Sequence, residues 1–364
     1  MGLLIAPFAV PLAALWFTAK NGPVIKHREG KGLTKQFVEQ LHLYWSAGIV
    51  APWYYIFSLH REGAERAPTF LQRCETKRGI YSLLRAKMPL PIGDKKAFAN
   101  LCLAANLPFV SSQLASEIDP ASLPDCDLFV KPRTGSGGKG AERWDRVEFR
   151  TWANGKHVLR DAGLIHYLRA KKCPVIVQKR VRPHAALERL TSGALPTVRA
   201  LTIINENERP ELVAAVFRMS FGERRTVDNI HAGGLACAVS LKDGELGMAS
   251  DLGIDARLGW HSVHPTTGAQ IKGARLPCWK EVGELAVRGH NAFADRVMIG
   301  WDIAITAEGP IVIEANRGPD MDLMQRFMEV GFCRDHRFTD LIAHHLEARK
   351  AANSIRFPDP ENVI

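Results

Sequence analysis

A short apolar run that ends on a lysine and passes into a cluster of glycines is suited to holding an anion. Leu128–Phe129–Val130 has the pattern of a buried strand. Lys131 closes it, and the loop Gly135, Ser136, Gly137, Gly138, Lys139, Gly140 follows. Glycines let successive backbone N–H groups turn inward around an anion with no Cβ in the way. The strand-end lysine adds a point charge to the same anion. Together these features suit a polyphosphate such as ATP. This is not a P-loop, because no Gly-Lys-Ser/Thr closes it onto a helix. A plain glycine-rich turn is the competing reading.

A second constellation lies far downstream, in residues 299–317, IGWDIAITAEGPIVIEANR. Two apolar runs, Ile303–Ile305 and Ile311–Ile313, flank the polar turn Ala307–Glu308–Gly309–Pro310 and predict a hairpin. Asp302 opens the first strand. Glu314 and Asn316 close the second, two residues apart and therefore on one face. Hairpin geometry can bring Asp302 beside them. Two carboxylates and an amide oxygen form a hard, all-oxygen set for Mg²⁺ or Mn²⁺. Solvated caps at strand ends are the bland alternative, and the phosphate loop upstream argues against it. Mg²⁺ is the ion that phosphoryl transfer from ATP requires.

In chain order the motifs are GDK (Gly93–Lys95), KPRTGSGGKG, QKRV (Gln178–Val181), TVRALT (Thr197–Thr202) and GWDIA…VIEAN. This series resembles the ATP-grasp superfamily. DNIHAGG (Asp228–Gly234) and HPTTG (His264–Gly268) make it most similar to the sugar-transfer-associated group and its relatives among the α-L-glutamate ligases. The resemblance covers roughly residues 90–330. It implies an α+β fold in which two lobes clasp ATP, here with a mainly helical N-terminal extension. The implied division is 1–90 for the basic, aromatic extension, 91–182 for the lobe with the glycine lid, 183–352 for the lobe with the metal site, and 353–364 for a tail.

The resemblance also implies roles. Lys131 and Lys95 would contact the α- and β-phosphates, and Gly135–Gly140 would close as a lid over the β- and γ-phosphates. Gln178, Lys179 and Val181 match the hinge that meets adenine. The family more often has Glu at the position of Gln178, whose amide oxygen still accepts a proton. His184 and Glu188 are candidates for the ribose hydroxyls. Asp302, Glu314 and Asn316 would hold the metal. Arg199 matches an arginine that stabilises developing charge, with Arg218 sharing the work. Asn229 and His231 would sit near the acceptor, His231 as a candidate base. The implied reaction is ATP-dependent, ADP-forming carboxylate–amine or carboxylate–thiol ligation through an acylphosphate, on small-molecule or glycan-linked substrates of polysaccharide or amino-acid-conjugate biosynthesis. A kinase on the same donor site and a non-catalytic ATP-binding scaffold are the rival readings.

The elements that must position these residues are legible too. Asp94 is placed to cap a helix over 95–106. Strands are expected at 128–131, 175–178, 199–204, 211–219 and 236–240. Further helices are expected near 155–171, 279–294 and 338–351. The seven cysteines are scattered with no Cys-x-x-Cys pair, which argues against a zinc site or disulfide framework and for a reducing, cytoplasmic setting. The net charge of +10 is uneven. Residues 1–100 carry fourteen Lys/Arg against six Asp/Glu. With no recognition motif, that excess supports no specific nucleic-acid partner. The uncharged run Gly2–Ala19, interrupted by Pro7 and Pro11, precedes Lys20, Lys26, Arg28, Lys31 and Lys35. Three readings fit it: a helical cap on the catalytic lobes, peripheral contact of residues 1–60 with the cytoplasmic membrane face, or a short span.

Overall fold

The computed structural model of the chain describes residues 2–61, 64–84, 90–135, 137–222, 226, 228, 230–253, 259–333 and 336–354. The chain opens with helices α1 (Gly2–Glu29), α2 (Leu33–Ala47) and α3 (Ala51–Ile56). The prolines expected to break the first apolar run do not end it, and Pro7, Pro11 and Pro23 all lie inside α1. A proline in a helix interior forgoes one backbone bond. Packing of the opposite face onto α2 offsets the loss: the Gln40 amide donates to Thr18 Oγ1 at 2.7 Å and the Gln36 amide to the Gly22 carbonyl at 3.1 Å. A π-helical turn over Glu75–Ile80 leads toward the catalytic part. Among the described residues no helix is long and apolar enough to cross a membrane.

Helix α4 (Lys95–Ala104) is capped as its sequence predicts. Asp94 Oδ1 accepts from the Lys96 and Ala97 amides at 3.0 and 3.2 Å, while Oδ2 pairs with Arg133 at 2.7 Å. One side chain thus fastens the helix start to the loop beyond the lysine strand. Asp94→Ala should cost about 1 kcal/mol, most of it the cap. A urea midpoint lowered by that amount checks it, and an unchanged midpoint would show that Arg133 and water replace the cap.

Six strands make the first sheet: β1 (Ser112–Leu114), β2 (Leu128–Pro132), β3 (Glu142–Glu148), β4 (Thr151–Ala153), β5 (Val158–Arg160) and β6 (Val175–Lys179), in the order β1-β6-β2-β3-β4-β5. Helix α5 (Asp161–Arg169) closes a core built on Trp144, Trp152, Leu128 and Val130. The helix expected from residue 155 starts only at Asp161. Asn154 Oδ1 accepts from the Lys156 and His157 amides, Gly155 turns with φ +83°, and the chain folds into the β4–β5 hairpin first.

The second sheet has seven antiparallel strands: β7 (Thr197–Ile204), β8 (Pro210–Met219), β9 (Leu235–Val239), β10 (Leu246–Ser250), β11 (Trp260–His261), β12 (Met298–Thr306) and β13 (Gly309–Asn316), ordered β11-β10-β9-β8-β7-β12-β13. Every residue of β12 is buried, as suits a central strand covered on both faces. Helix α6 (Trp279–Ala292) packs with Val198, Ala200 and Trp301 on one face. Helices α7 (Met321–Met328) and α8 (Arg337–Ser354) pack with Leu201, Ile203 and Met298 on the other. Alternation puts Arg199 on that second face.

Helix α7 also binds the N-terminal helices to this sheet. The buried Arg326 guanidinium donates to the Ile56 carbonyl at 2.6 Å, Ser250 Oγ at 2.7 Å and the Asp251 carbonyl at 2.8 Å. Gln325 brackets Leu71, accepting from its amide and donating to its carbonyl, both at 2.9 Å.

Candidate active site

Three adjacent strands bring the charged residues together. In register, Asp302 lies between Arg199 of β7 and Glu314 of β13. Arg199 Nε bonds Asp302 Oδ1, and its Nη2 bonds Oδ2 at 2.9 Å, a two-point grip. Arg218 of β8 donates to the same Oδ2 at 2.9 Å and to Thr197 Oγ1 at 2.6 Å. Thr197 in turn donates to Asp228, whose carboxylate lies 3.5 Å from Arg218. Burial alone would raise the Asp302 carboxyl, but the two arginines outweigh it and hold the group well below the usual carboxylate range. At Asp228 burial prevails over Arg218, and the carboxyl is raised.

Asp302 therefore departs from the simple metal-ligand role its sequence position suggests, because both of its oxygens already serve guanidinium groups. Glu314 differs. Among the described residues no hydrogen bond or ion pair engages it. Beside it, Asn316 Nδ2 is buried with no partner. An amide can be turned end for end without changing its shape, which would present Oδ1 instead. An unengaged carboxylate next to an orphaned amide fits a hard cation, with an Asp302 oxygen shared between metal and arginine as third donor. Among the described residues no three His, Cys, Asp or Glu group to hold a metal.

The first sheet supplies the opposite wall of the cleft. Val130 points into the core and Lys131 into the cleft, where it is 9% exposed. Burial lowers its ammonium pKa from the ordinary 10.5 to about 8, against the pull of Glu314 and with the push of Lys95. Lys95 reaches over from α4, its Nζ donating to the Gly135 carbonyl at 2.9 Å. Gly135, Gly137, Gly138 and Gly140 all have positive φ, from 70° to 113°. Glycine takes up such conformations at no cost, and a loop built this way can turn backbone amides toward an anion. Lys139 lines the cleft with Gly135, Gly137 and Gly138.

At the far end Gln178 faces in from β6. Its Nε2 donates to the Val110 carbonyl at 3.3 Å, leaving Oε1 for the cleft. Lys179 and Val181 line the same end. His184, Glu188 and His231 do not line the cleft. His184 instead caps the 3₁₀ turn Ala185–Leu190, its ring Nδ1 accepting from the Ala186 amide at 3.2 Å, and Glu188 belongs to that turn. His231 lies 3.4 Å from Asp320, outside the cleft. Ser136 and Asn229 fall outside the described residues. Six polar cleft residues were given no role in the sequence reading: Thr134, Arg143, Arg180, Thr197, Thr226 and Asp228. Of these Thr134, Arg180, Thr197 and Asp228 had a signal, since each lies in one of the quoted motifs.

The low Lys131 pKa sets a pH dependence. Above about 8 the folded protein sheds this proton while the unfolded chain keeps it up to about 10.5. Stability should therefore rise with pH through that window, and affinity for a polyphosphate should fall. Calorimetric ATP titrations on either side of pH 8 check the second half. A flat profile would mean that Lys131 stays charged throughout.

The sequence profile described as sugar-transfer associated ATP-grasp matches residues 84–334. No curated protein sequence matches the chain. Among solved structures, the ATP-grasp ligase PsnB, complexed with a phosphomimetic variant of its minimal precursor, Mg and ADP, is 15% identical with a TM-score of 0.39. That match covers 71% of this chain and 59% of PsnB, so the chain spans less than two thirds of that protein's length. The D-alanine-D-alanine ligase from Coxiella burnetii is 11% identical at a TM-score of 0.41, with 78% and 70% covered. An L-amino acid ligase from Bacillus licheniformis is 10% identical at 0.40, with 70% and 48% covered.

Proposed function

The chain belongs to the sugar-transfer associated ATP-grasp family, and from that premise we propose that it is an ATP-dependent, ADP-forming ligase that joins a carboxylate to an amine through an acylphosphate. One observation carries the reading. Glu314, Asn316 and the Asp302–arginine cluster share a cleft with a buried lysine and the positive-φ glycines Gly135, Gly137 and Gly138. One wall suits phosphate oxygens, and the other suits a metal together with developing negative charge.

In this reading Lys131, Lys95 and the loop amides hold the phosphates, and Gln178 Oε1 accepts from the adenine amino group. Glu314, Asn316 and Asp302 would hold Mg²⁺, which when bound offsets phosphate charge. The substrate carboxylate attacks the γ-phosphorus, the bond to the β-phosphate oxygen breaks, and ADP forms. An amine then attacks the acyl carbon, inorganic phosphate leaves, and the amine loses a proton. Arg199 and Arg218 stay anchored by Asp302 while presenting fixed donors to the developing charge, so little reorganisation is needed at the moment of reaction. The family's association with sugar transfer favours a glycan-linked or amino-sugar substrate in cell-surface polysaccharide or amino-acid-conjugate biosynthesis. We place the enzyme in the cytoplasm, touching the membrane through residues 1–60.

ADP release with pooled sugar acids, amino acids and amino sugars tests this directly. The expected product has the mass of acid plus amine less water. A product heavier than the substrate by one phosphoryl group would make the protein a kinase. An absence of stimulated turnover while ATP binding is intact would refute the ligase.

A further inference from the structure

Helix α1 carries an apolar stripe that stands exposed among the described residues. Phe8, Leu12, Leu15 and Trp16 are 76%, 67%, 57% and 56% exposed. They recur at i, i+4, i+7 and i+8, which is one face of a helix. The opposite face, through Ala14, Thr18, Asn21 and Ile25, is buried toward α2 and the aromatic cluster of α3. These four side chains are therefore not a misplaced core, because α1 already has a core-facing side.

The charge around the stripe has one sign. Lys20 lies over the Trp16 ring at 5.1 Å, Lys26 continues the exposed face, and Lys35 is exposed in the first turn of α2. The only acids between residues 2 and 47 are Glu29 and Glu39, and both are already paired, Glu29 with His60 and Arg61 and Glu39 with Lys31 and Tyr54. A second copy of this chain would bring like charges together. A partner must offer apolar depth and negative charge side by side, as an anionic bilayer does.

We propose that α1 lies flat on an anionic lipid surface, with Phe8, Leu12, Leu15 and Trp16 among the upper acyl chains and Lys20, Lys26 and Lys35 on lipid phosphates. This rests on the reading of membrane contact above and names the face, the orientation and the lipid chemistry. Helix α1 has the interfacial rather than the spanning pattern, with one buried side and one apolar exposed side that ends in lysines.

The test is sedimentation of the full chain with phosphatidylcholine/phosphatidylglycerol vesicles and with phosphatidylcholine alone. Wild type should pellet with the anionic vesicles and more weakly with the neutral ones. L12E/W16E, and in the same direction the milder L12Q/W16Q, should lose about tenfold or more in partitioning. K20Q/K26Q should lose about fivefold per lysine on anionic vesicles alone. Leu103→Gln, which removes an equally exposed leucine from α4, should change nothing. Unaltered ATP affinity in each variant keeps this face separate from the cleft. Wild type left in the supernatant with both vesicles overturns membrane contact altogether. Wild-type pelleting that the stripe variants retain overturns this face alone. A wild-type dimer in sedimentation velocity that L12E/W16E dissolves would assign the stripe to a second copy instead.

Discussion

Glu314→Gln should lower Mg²⁺-dependent ADP formation by about 10³-fold while leaving the thermal midpoint in place. The size follows from the division of labour among the acids. Asp302 is held by Arg199 and Arg218 and cannot give up both oxygens without stranding two guanidinium groups. Glu314 has no such commitment, so it is the carboxylate with a whole charge to offer a cation. Glutamine keeps the shape and removes that charge. The fold should not suffer, because no described partner loses a bond. Asn316→Ala should cost less, since a neutral donor goes and water can replace it. Activity within about threefold of wild type in Glu314→Gln would sink the metal assignment.

Lys131→Met should move two properties in opposite directions. ATP affinity should fall about 10²-fold, as expected for losing a buried, charge-assisted phosphate contact. Stability in the absence of ATP should rise by roughly 2 kcal/mol at neutral pH. The sign follows from the ammonium pKa, which lies at about 8 in the fold and 10.5 outside it. Below 8 the folded protein therefore keeps a charge in a site that disfavours it, and a methionine of similar length carries no such penalty. Paired denaturation and calorimetry distinguish this from ordinary core damage. A variant that loses both stability and affinity would mean that the lysine is satisfied in the free protein.

Much of this architecture was legible in the sequence because it is local. Strand β2, its terminal lysine, the glycine loop, the Asp94 cap and the β12–β13 hairpin each announce themselves within twenty residues. Asp302, Glu314 and Asn316 were visible as a set because the hairpin joining them is short. The pairing of Arg199 with Asp302 was not visible. The two are 103 positions apart and meet only because β7 and β12 become neighbours in the sheet. His184, Glu188 and His231 show the converse case: they stand close to a motif in sequence, yet the fold does not put them among the residues lining the cleft. His184 instead satisfies a helical turn. The persistence of α1 through its prolines was hidden for the same reason, because it rests on contacts with α2 and not on local propensity.

Arg326 marks where the folding unit ends. Its guanidinium is fully buried, and its acceptors come from two places: Tyr55, Ile56 and Ser58 on the N-terminal helices, and Ser250 and Asp251 on the second sheet. The family profile begins at residue 84, so Tyr55, Ile56 and Ser58 lie outside it. A chain cut there would uncover the guanidinium, leave water in place of those acceptors, and expose the apolar surface that the N-terminal helices cover. The segment that defines the family in sequence is thus smaller than the set of residues that pack around this cation. The N-terminal helices are bonded to the catalytic part rather than merely tethered to it. A lineage that shed these helices would need a new set of acceptors, or a different residue, at position 326.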